Sequence, residues 1–227
     1  MSDSKKSVLF HLGFLAVLFV LQFVLPAYHH GNLARIMVLA SYSMGYNILF
    51  GYTGLLSLGH AMFFAAGMYG MGLTMTHLGW TAGPAMLAGL ITGVLVSAGV
   101  GFLALRTSGV SFMIVTLMFA QAGFLTILYF GEWTRGDEGF VIQQADRVFA
   151  GIDLSDPTNR YLAALLLFGF CLVITIRLIQ SRFGHVLIAI RENEESTQLL
   201  GCNVHHHKWM AVISPGTMAA MAGAAYA

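Results

Sequence analysis

Residues 181–208 read SRFGHVLIAIRENEESTQLLGCNVHHHK, and this stretch is the only charge-dense helical pattern in the chain. A helix that crosses a membrane needs about 20 mostly apolar residues. Apolar runs of that kind flank the stretch on both sides, at 161–179 and 209–227. A polar segment held between two membrane crossings must lie in water at the membrane surface. The arrangement therefore predicts a membrane protein with an exposed loop, which is either simply solvated or available to a partner.

The middle of this stretch, residues 191–201, has the pattern of a short amphipathic helix. Arg191 precedes Glu194 and Glu195 by three and four residues, so opposite charges are expected to meet on one face and to stabilise the helix by about 0.2–0.5 kcal/mol per pair. Gly201 is expected to end the helix, because glycine readily adopts the left-handed conformation. Four residues are expected to form apolar patches: Leu187, Ile190, Leu199 and Leu200.

The composition excludes a soluble globular domain. Of the 227 residues, 57% are hydrophobic and 9% are charged, whereas about 25% charged residues are usual in soluble domains. Between Lys6 and Glu132 the only full charges are Arg35 and Arg106. The sequence predicts an all-α, polytopic transmembrane helical bundle that forms one domain. Its predicted spans are 8–25, 33–50, 60–78, 82–104, 110–130, 161–179 and 209–227.

The distribution of basic residues predicts the orientation, because Lys and Arg are enriched in cytoplasmic loops. A cytoplasmic N-terminus places Lys5, Lys6, Arg106, Arg177, Arg182, Arg191 and Lys208 inside, and Arg35, Arg135, Arg147 and Arg160 outside. Residues 181–208 are then cytoplasmic. The acidic region 131–160 becomes an external loop that can hold a short helix or a hairpin. We expect the first apolar run to be a retained helix rather than a cleaved signal peptide.

The apolar region between 33 and 78 is too long for one crossing, and glycines interrupt it in the segment GYTGLLSLGH, residues 51–60. One interpretation is a tight turn at the membrane surface. The other is a broken or re-entrant helix, which is tolerated at membrane depth only where it is buried in protein or lines a watery cavity. A helix starting near Ser57 would place Ser57 and His60 on one face and direct free N–H groups at a carboxylate. The candidates for a translocation pathway are Gly51, Gly54, Ser57 and His60.

Small residues recur every four positions in the fourth apolar run, a pattern that allows membrane helices to approach closely. They are Gly89, Gly93, Ser97 and Gly101, and Ala219, Gly223 and Ala227 repeat the pattern in the last run. Pro215 is expected to kink or delay that last helix, because proline cannot donate a backbone hydrogen bond.

Several kinds of chemistry have no signal in the sequence. Cys171 lies in an apolar run and Cys202 in the polar loop, so we expect two thiols and no disulfide. The adjacent histidines 205–207 point in different directions on a helix and do not predict a metal site. The near-zero net charge and the lack of a basic tract argue against nucleic acid as a partner. No phosphate-binding glycine loop is present, and no cofactor is predicted.

Three blocks in order along the chain resemble the permease family of branched-chain amino-acid ABC importers. They are NILFGYTGLLSLGHAMFFAAGMY at 47–69, LRTSGVSFMIVTLMFAQ at 105–121 and SRFGHVLIAIRENEESTQLLGCNV at 181–204. The resemblance implies a transport subunit, not an enzyme, in the bacterial cytoplasmic membrane. It also implies a second permease, two cytoplasmic ATPases and a periplasmic solute-binding protein as partners. The implied solutes are branched-chain amino acids or relatives such as urea or an amide.

The resemblance also implies a cytoplasmic loop that docks on the ATPase, with the pattern Glu-Ala-Ala, three residues, Gly. Here Glu195 and Gly201 keep that spacing, while Ser196 and Thr197 replace the two alanines. The implied docking residues are Arg191, Glu192, Glu194, Glu195 and Gly201. Members of the family usually continue with further membrane helices beyond the position of Ala227, so we expect this chain to be a fragment or a shortened product.

Two other classes of function stay open from the residues alone. An ion-coupled carrier also uses broken helices, although the absence of carboxylates from the predicted spans removes the usual proton relay. An intramembrane serine protease would need Ser57 or Ser111 as nucleophile with His60 or His77 as base. Ser57 and His60, three residues apart on one helix, do not easily form the required hydrogen bond.

Overall fold

The computed structural model describes residues 3–136, 138–140, 148–149 and 152–227, with backbone alone for 3–8 and 148. This part of the chain is almost entirely helical, which confirms the all-α class. The helices are α1 (Asp3–Val24), α2 (Ala27–Asn47), α3 (Ala61–Leu78), α4 (Ala82–Ala104), α5 (Val110–Tyr129), α6 (Gly131–Thr134), α7 (Pro157–Gln180), α8 (Arg182–Glu192), α9 (Glu194–Leu199) and α10 (Val204–Tyr226). A π-helical turn, Ile48–Tyr52, continues α2.

The long helices coincide with the apolar runs of the sequence. Within the described residues, four helical stretches are long and apolar enough to cross a membrane: Ala27–Tyr52, Ala82–Ala104, Val110–Tyr129 and Pro157–Gln180. A shorter apolar stretch covers Leu9–Val24. The expected delay at Pro215 is wrong, because α10 begins at Val204 and passes through this buried proline. Packing on the neighbouring helices therefore outweighs the lost backbone hydrogen bond.

Helix α10 lies at the centre of the bundle, in contact with α2, α3 and α4. Its buried side chains are mostly small, and Ala211, Ala219, Ala220 and Ala222 are fully buried. Small side chains allow backbones to approach closely, and the resulting van der Waals contact is what holds helices together where lipid is as apolar as the protein. Helix α7 packs on α2 as well, and side chains of α2, α7 and α10 share one buried cluster.

The small-residue stripe of α4 forms the contact with α3 and α10, as the sequence predicted. Gly89, Gly93, Ser97 and Gly101 are all buried. A Cβ atom on Gly89 would lie 2.6 Å from the Gly67 carbonyl oxygen, and one on Gly93 would collide with the Ala220 side chain. The glycines of this stripe therefore set the distance between the helices.

Helix α5 is only slightly enclosed by the bundle. Only Phe112 and Thr116 are buried along its length, and it meets the bundle through α3 and α4. The region 131–160 contains both expected alternatives, the short helix α6 and a two-residue antiparallel pair in which Phe149 faces Ile152. Asp146 and Arg147, which the sequence places in this loop, lie outside the described residues.

Replacing Gly93 with leucine is expected to destabilise the bundle by about 1–3 kcal/mol, the usual cost of overpacking a close-packed interior. The matched control is Gly99→Leu in the same helix, because Gly99 is exposed and no atom lies within 4 Å of the position that its Cβ would take. The free energy of unfolding of both variants can be measured by SDS titration from detergent micelles. Equal losses of stability at the two positions would contradict the conclusion that the glycines of the stripe set the distance between the helices.

Candidate functional site

The long helix that starts at Ala27 ends in a break, as the sequence predicted. After α2 the chain forms the π-helical turn Ile48–Tyr52, and no helix follows until Ala61. The side chain of Asn47 lies over Gly51, where a Cβ atom would collide with its Oδ1 atom. A larger residue at Gly51 would therefore displace the Asn47 side chain. Single π turns of this kind occur frequently at functional sites.

Four carbonyl groups near the end of this helix, those of residues 48–51, have hydrogen-bond partners. Three of these carbonyls accept hydrogen bonds from the residues that follow. The Thr53 hydroxyl donates to the Ile48 carbonyl at 3.2 Å. The N–H groups of Leu55 and Gly54 donate to the carbonyls of Leu49 and Phe50, each at 3.1 Å. The fourth partner comes from the other end of the chain. Arg191 in α8 donates from Nη1 to the Gly51 carbonyl oxygen at 2.5 Å. A cation at a helix C-terminus is also favoured by the helix dipole.

Arg191 covers the break with its aliphatic part as well. A Cβ atom on Gly54 would lie 2.9 Å from Arg191 Cγ, and Gly54 has a φ of +73°. Glycine is therefore required here both by its backbone conformation and by the close approach of Arg191. A second guanidinium nitrogen of Arg191 pairs with Glu192 at 2.7 Å.

The other end of the break is attached to α5. The backbone N–H of Leu58 donates to the Thr116 hydroxyl at 3.3 Å, and Thr116 in turn donates to the Met113 carbonyl at 2.9 Å. Gly59 lies so close to the Thr116 backbone that a Cβ atom would collide with the Thr116 carbonyl oxygen. No role for Thr116 was predicted from the sequence, although it belongs to the second block of resemblance.

Ser57 and His60 do not lie on one helical face, and this prediction is wrong. Helix α3 begins only at Ala61, and the residues before it form a turn. The N–H groups of Met62 and Phe63 already donate to the carbonyls of Gly59 and His60, so they do not point freely at a ligand. Ser57 and His60 are both buried, at 4% and 2% exposure.

His60 is enclosed by aromatic rings. The centroids of Tyr42, Tyr46 and Phe63 lie 5.3, 5.2 and 5.4 Å from the imidazole centroid. Both ring nitrogens of His60 are buried and have no hydrogen-bond partner. A buried polar group without a partner reduces the stability of the state in which it is unpaired.

The polar stretch forms two helices rather than one. Asn193 has an extended conformation with a φ of −156° and separates α8 from α9, and its side chain caps α9 by accepting from the Ser196 N–H at 2.8 Å. The expected pairing of Arg191 with Glu194 and Glu195 is therefore wrong, because they do not share a helix. Glu194 instead pairs with Lys208 of α10 at 2.5 Å.

The end of α9 agrees with the sequence pattern. The helix ends at Leu199, and Gly201 follows with a φ of +85°.

The four apolar residues of the stretch face different environments: Leu187 and Ile190 are buried against the bundle, whereas Leu199 and Leu200 are 88% and 83% exposed. The exposed pair lies beside the exposed carboxylates of Glu194 and Glu195.

The histidine run belongs to the start of α10. The Asn203 side chain caps this helix by accepting from the His206 N–H at 3.0 Å, and His207 stacks on Phe183 with centroids 5.6 Å apart. Within the described residues no group of three His, Cys, Asp or Glu side chains is arranged to hold a metal ion. Cys171 is buried, Cys202 is partly exposed, and both are free thiols.

An open cavity of about 740 Å³ lies between the break, the loop that joins α4 to α5, and the polar stretch. Thr53, Gly54 and Arg191 line it on one side and Arg106 on another. The structure therefore brings the pathway candidates Gly51 and Gly54 together with Arg191 of the implied docking loop. Ser57 and His60 do not line this cavity; both are buried, and His60 packs on Tyr42 and Tyr46 of α2.

The chain matches a family model described as branched-chain amino acid transport system / permease component, over residues 30–227. The chain belongs to this permease family. This membership and the apolar helices identify it as a multi-pass membrane protein.

Two relatives carry the description high-affinity branched-chain amino acid transport system permease protein LivM. The protein from Salmonella typhimurium is 31% identical and the one from Escherichia coli 30%, each over 84% of this chain and 50% of the relative. The chain thus spans about half the length of these curated relatives. No solved structure matches the chain.

In this permease, replacing Thr116 with valine is expected to lower the free energy of unfolding by about 1–3 kcal/mol, because the Leu58 N–H loses its acceptor. The matched control is Thr126→Val in the same helix, since Thr126 is exposed and its hydroxyl bonds only within α5, to Ala122. The free energy of unfolding of both variants can be measured by SDS titration. A Thr116 variant no less stable than the Thr126 variant would show that the contact does not hold the break.

Proposed function

We propose that this chain is the membrane-spanning permease subunit of an ATP-driven ABC importer in the bacterial inner membrane. Its solute is a branched-chain amino acid or a related small molecule such as urea or an amide. The proposal is supported by membership of the permease family and by the function that the two relatives are named for. The observation that carries it is the contact of the polar stretch with a broken helix, through Arg191 and Gly51.

In the assembled importer, the chain pairs with a second permease subunit within the lipid bilayer. Two cytoplasmic ATPase subunits bind the polar stretch at Glu192, Glu194, Glu195 and Gly201, and a periplasmic solute-binding protein delivers the solute. This arrangement requires a cytoplasmic N-terminus and places 131–160 in the periplasm. ATP is hydrolysed on the ATPase subunits, and no covalent chemistry takes place in the permease.

The proposed docking surface is the part of α8 and α9 that projects from the bundle. The side chains of Glu192, Glu194 and Glu195 are exposed there, beside Leu199 and Leu200. An exposed apolar pair within a few residues of three exposed carboxylates is compatible with a protein interface, in which an apolar centre has a polar rim. Gly201 ends this surface and turns the chain into α10.

The proposed pathway passes the break between α2 and α3. Its candidates are Gly51 and Gly54, which line or border the cavity, and Ser57 and His60, which are enclosed in this conformation. Backbone that leaves the helix at membrane depth is found where proteins build transport sites. When the break changes conformation, the unpaired nitrogens of His60 become available to the solute.

The class of transport is tested by reconstituting the assembled transporter in liposomes with its binding protein. We expect solute uptake to require ATP on the side of the membrane where the ATPase subunits lie. We also expect uptake to continue when ion gradients across the membrane are dissipated. Uptake that survives the removal of ATP and stops with the ion gradient would contradict an ATP-driven importer and favour an ion-coupled carrier.

Replacing Gly201 with valine is expected to lower transport and the stimulation of the ATPase together. A β-branched residue in the left-handed conformation costs about 1–2 kcal/mol, which corresponds to a factor of roughly 5–30 in an equilibrium. Gly201→Asn is the matched control, because asparagine tolerates this conformation and no atom lies within 4 Å of the added Cβ. Unchanged transport and ATPase rates in the valine variant would remove Gly201 from the docking surface.

Replacing His60 with phenylalanine is expected to separate stability from transport. The free energy of unfolding should stay the same or rise, because a similar ring fills the site and two unpaired buried nitrogens disappear. Transport should fall, because the solute loses a polar partner. His29→Phe, at an exposed position in α2, is the control. Normal transport by the His60 variant would exclude this side chain from the pathway.

A further inference from the structure

We infer that Arg191 is a positioning residue that transmits movement of the cytoplasmic helices to the break in α2, rather than a residue that contacts the ATPase. This inference rests on the proposed function, in which α8 and α9 are moved by an ATPase. It assigns Arg191 a different role from that of Glu192, Glu194 and Glu195, with which the sequence grouped it.

The contacts of Arg191 point towards the bundle. One guanidinium nitrogen binds the Gly51 carbonyl at 2.5 Å, and the methylene groups of the side chain lie over Gly54. The other bonded nitrogen reaches Glu192, the next residue in the chain. A planar guanidinium can hold both acceptors in fixed directions, whereas the ammonium group of lysine is a point charge on a flexible stem.

Helix α8 is closely attached to the elements on either side of it. Gly184 lies against the end of α7, where a Cβ atom would be 2.5 Å from the carbonyl oxygens of Leu178 and Ile179. Leu187 is completely buried in a cluster that includes Ile48, the first residue of the π turn. A displacement of α8 therefore acts on the π turn through both Leu187 and Arg191, since close-packed interiors transmit strain.

The break is held at both ends, and between them residues 53–55 bond back to residues 48–50 without forming a continuous helical ladder. Arg191 holds Gly51 at its start, and Thr116 holds Leu58 near its end. His60 follows directly and leads into α3. A change at Arg191 is therefore absorbed within residues 52–58, which is the part of the chain proposed to line the pathway. This is a continuous physical connection between the cytoplasmic helices and the pathway.

The first experiment needs no transport activity. Amide hydrogen exchange is measured on the purified chain in detergent, with Arg191→Gln and with Arg182→Gln as the control, since Arg182 is an exposed arginine in the same helix. We expect exchange of the hydrogen-bonded amides of the break, those of Gly54, Leu55 and Leu58, to become about tenfold faster in the Arg191 variant, because a charge-assisted bond to the helix end is lost. Exchange that is equal in the two variants would overturn the connection.

The second experiment uses the assembled transporter. For Arg191→Gln, solute transported per ATP hydrolysed is expected to fall about tenfold, because the ATPase cycle no longer moves the break. Arg191→Lys should recover part of this ratio, and Arg182→Gln should leave it unchanged. A proportional fall in transport and ATP hydrolysis, with loss of co-purifying ATPase, would make Arg191 a docking residue instead. If the unmodified transporter shows no ATP-dependent uptake, the proposed function is contradicted. The hydrogen-exchange experiment would still test the connection between Arg191 and the break, because it does not depend on transport.

Discussion

The structure depends on how the chain satisfies the carbonyl groups at the broken end of α2. The end of a helix leaves its last carbonyls without partners inside the helix, and each one that is also removed from water would cost about 1–3 kcal/mol. Local groups satisfy three of them, and Arg191, 140 residues further along the chain, satisfies the Gly51 carbonyl. The polar stretch and the break are therefore stabilised together, and neither has its full set of partners without the other.

Close packing of the bundle makes this arrangement possible. The glycines of α4 allow α10 to lie in the centre of the bundle, and the buried cluster around Leu187 joins α10 to the π turn and α8. The result combines closely packed long helices with a segment, residues 53–60, that has no regular helical structure. A transport protein of the proposed kind requires this combination of a stable framework and a segment able to change conformation.

The sequence predicted the long helices because apolar length is nearly sufficient to define a membrane helix, and it located the break through its glycines. It also identified the stripe from Gly89 to Gly101 and the end of α9 at Gly201. The interruption between α8 and α9 at Asn193 was not predicted, because the charges around it also fit one continuous helix. The contact of Arg191 with Gly51 and that of Leu58 with Thr116 join distant parts of the chain, and periodicity in one sequence contains no information about such pairs.

The central claim is that the Arg191 guanidinium caps the broken helix while the chain is part of its transporter. The most direct test is a cryo-electron microscopy structure of the unmodified assembled complex, at a resolution that shows the guanidinium group. The account predicts that a guanidinium nitrogen lies within hydrogen-bond distance of the Gly51 carbonyl oxygen, about 3.2 Å or less. An Arg191 side chain directed away from the break, with the Gly51 carbonyl bonded to another group, would contradict it.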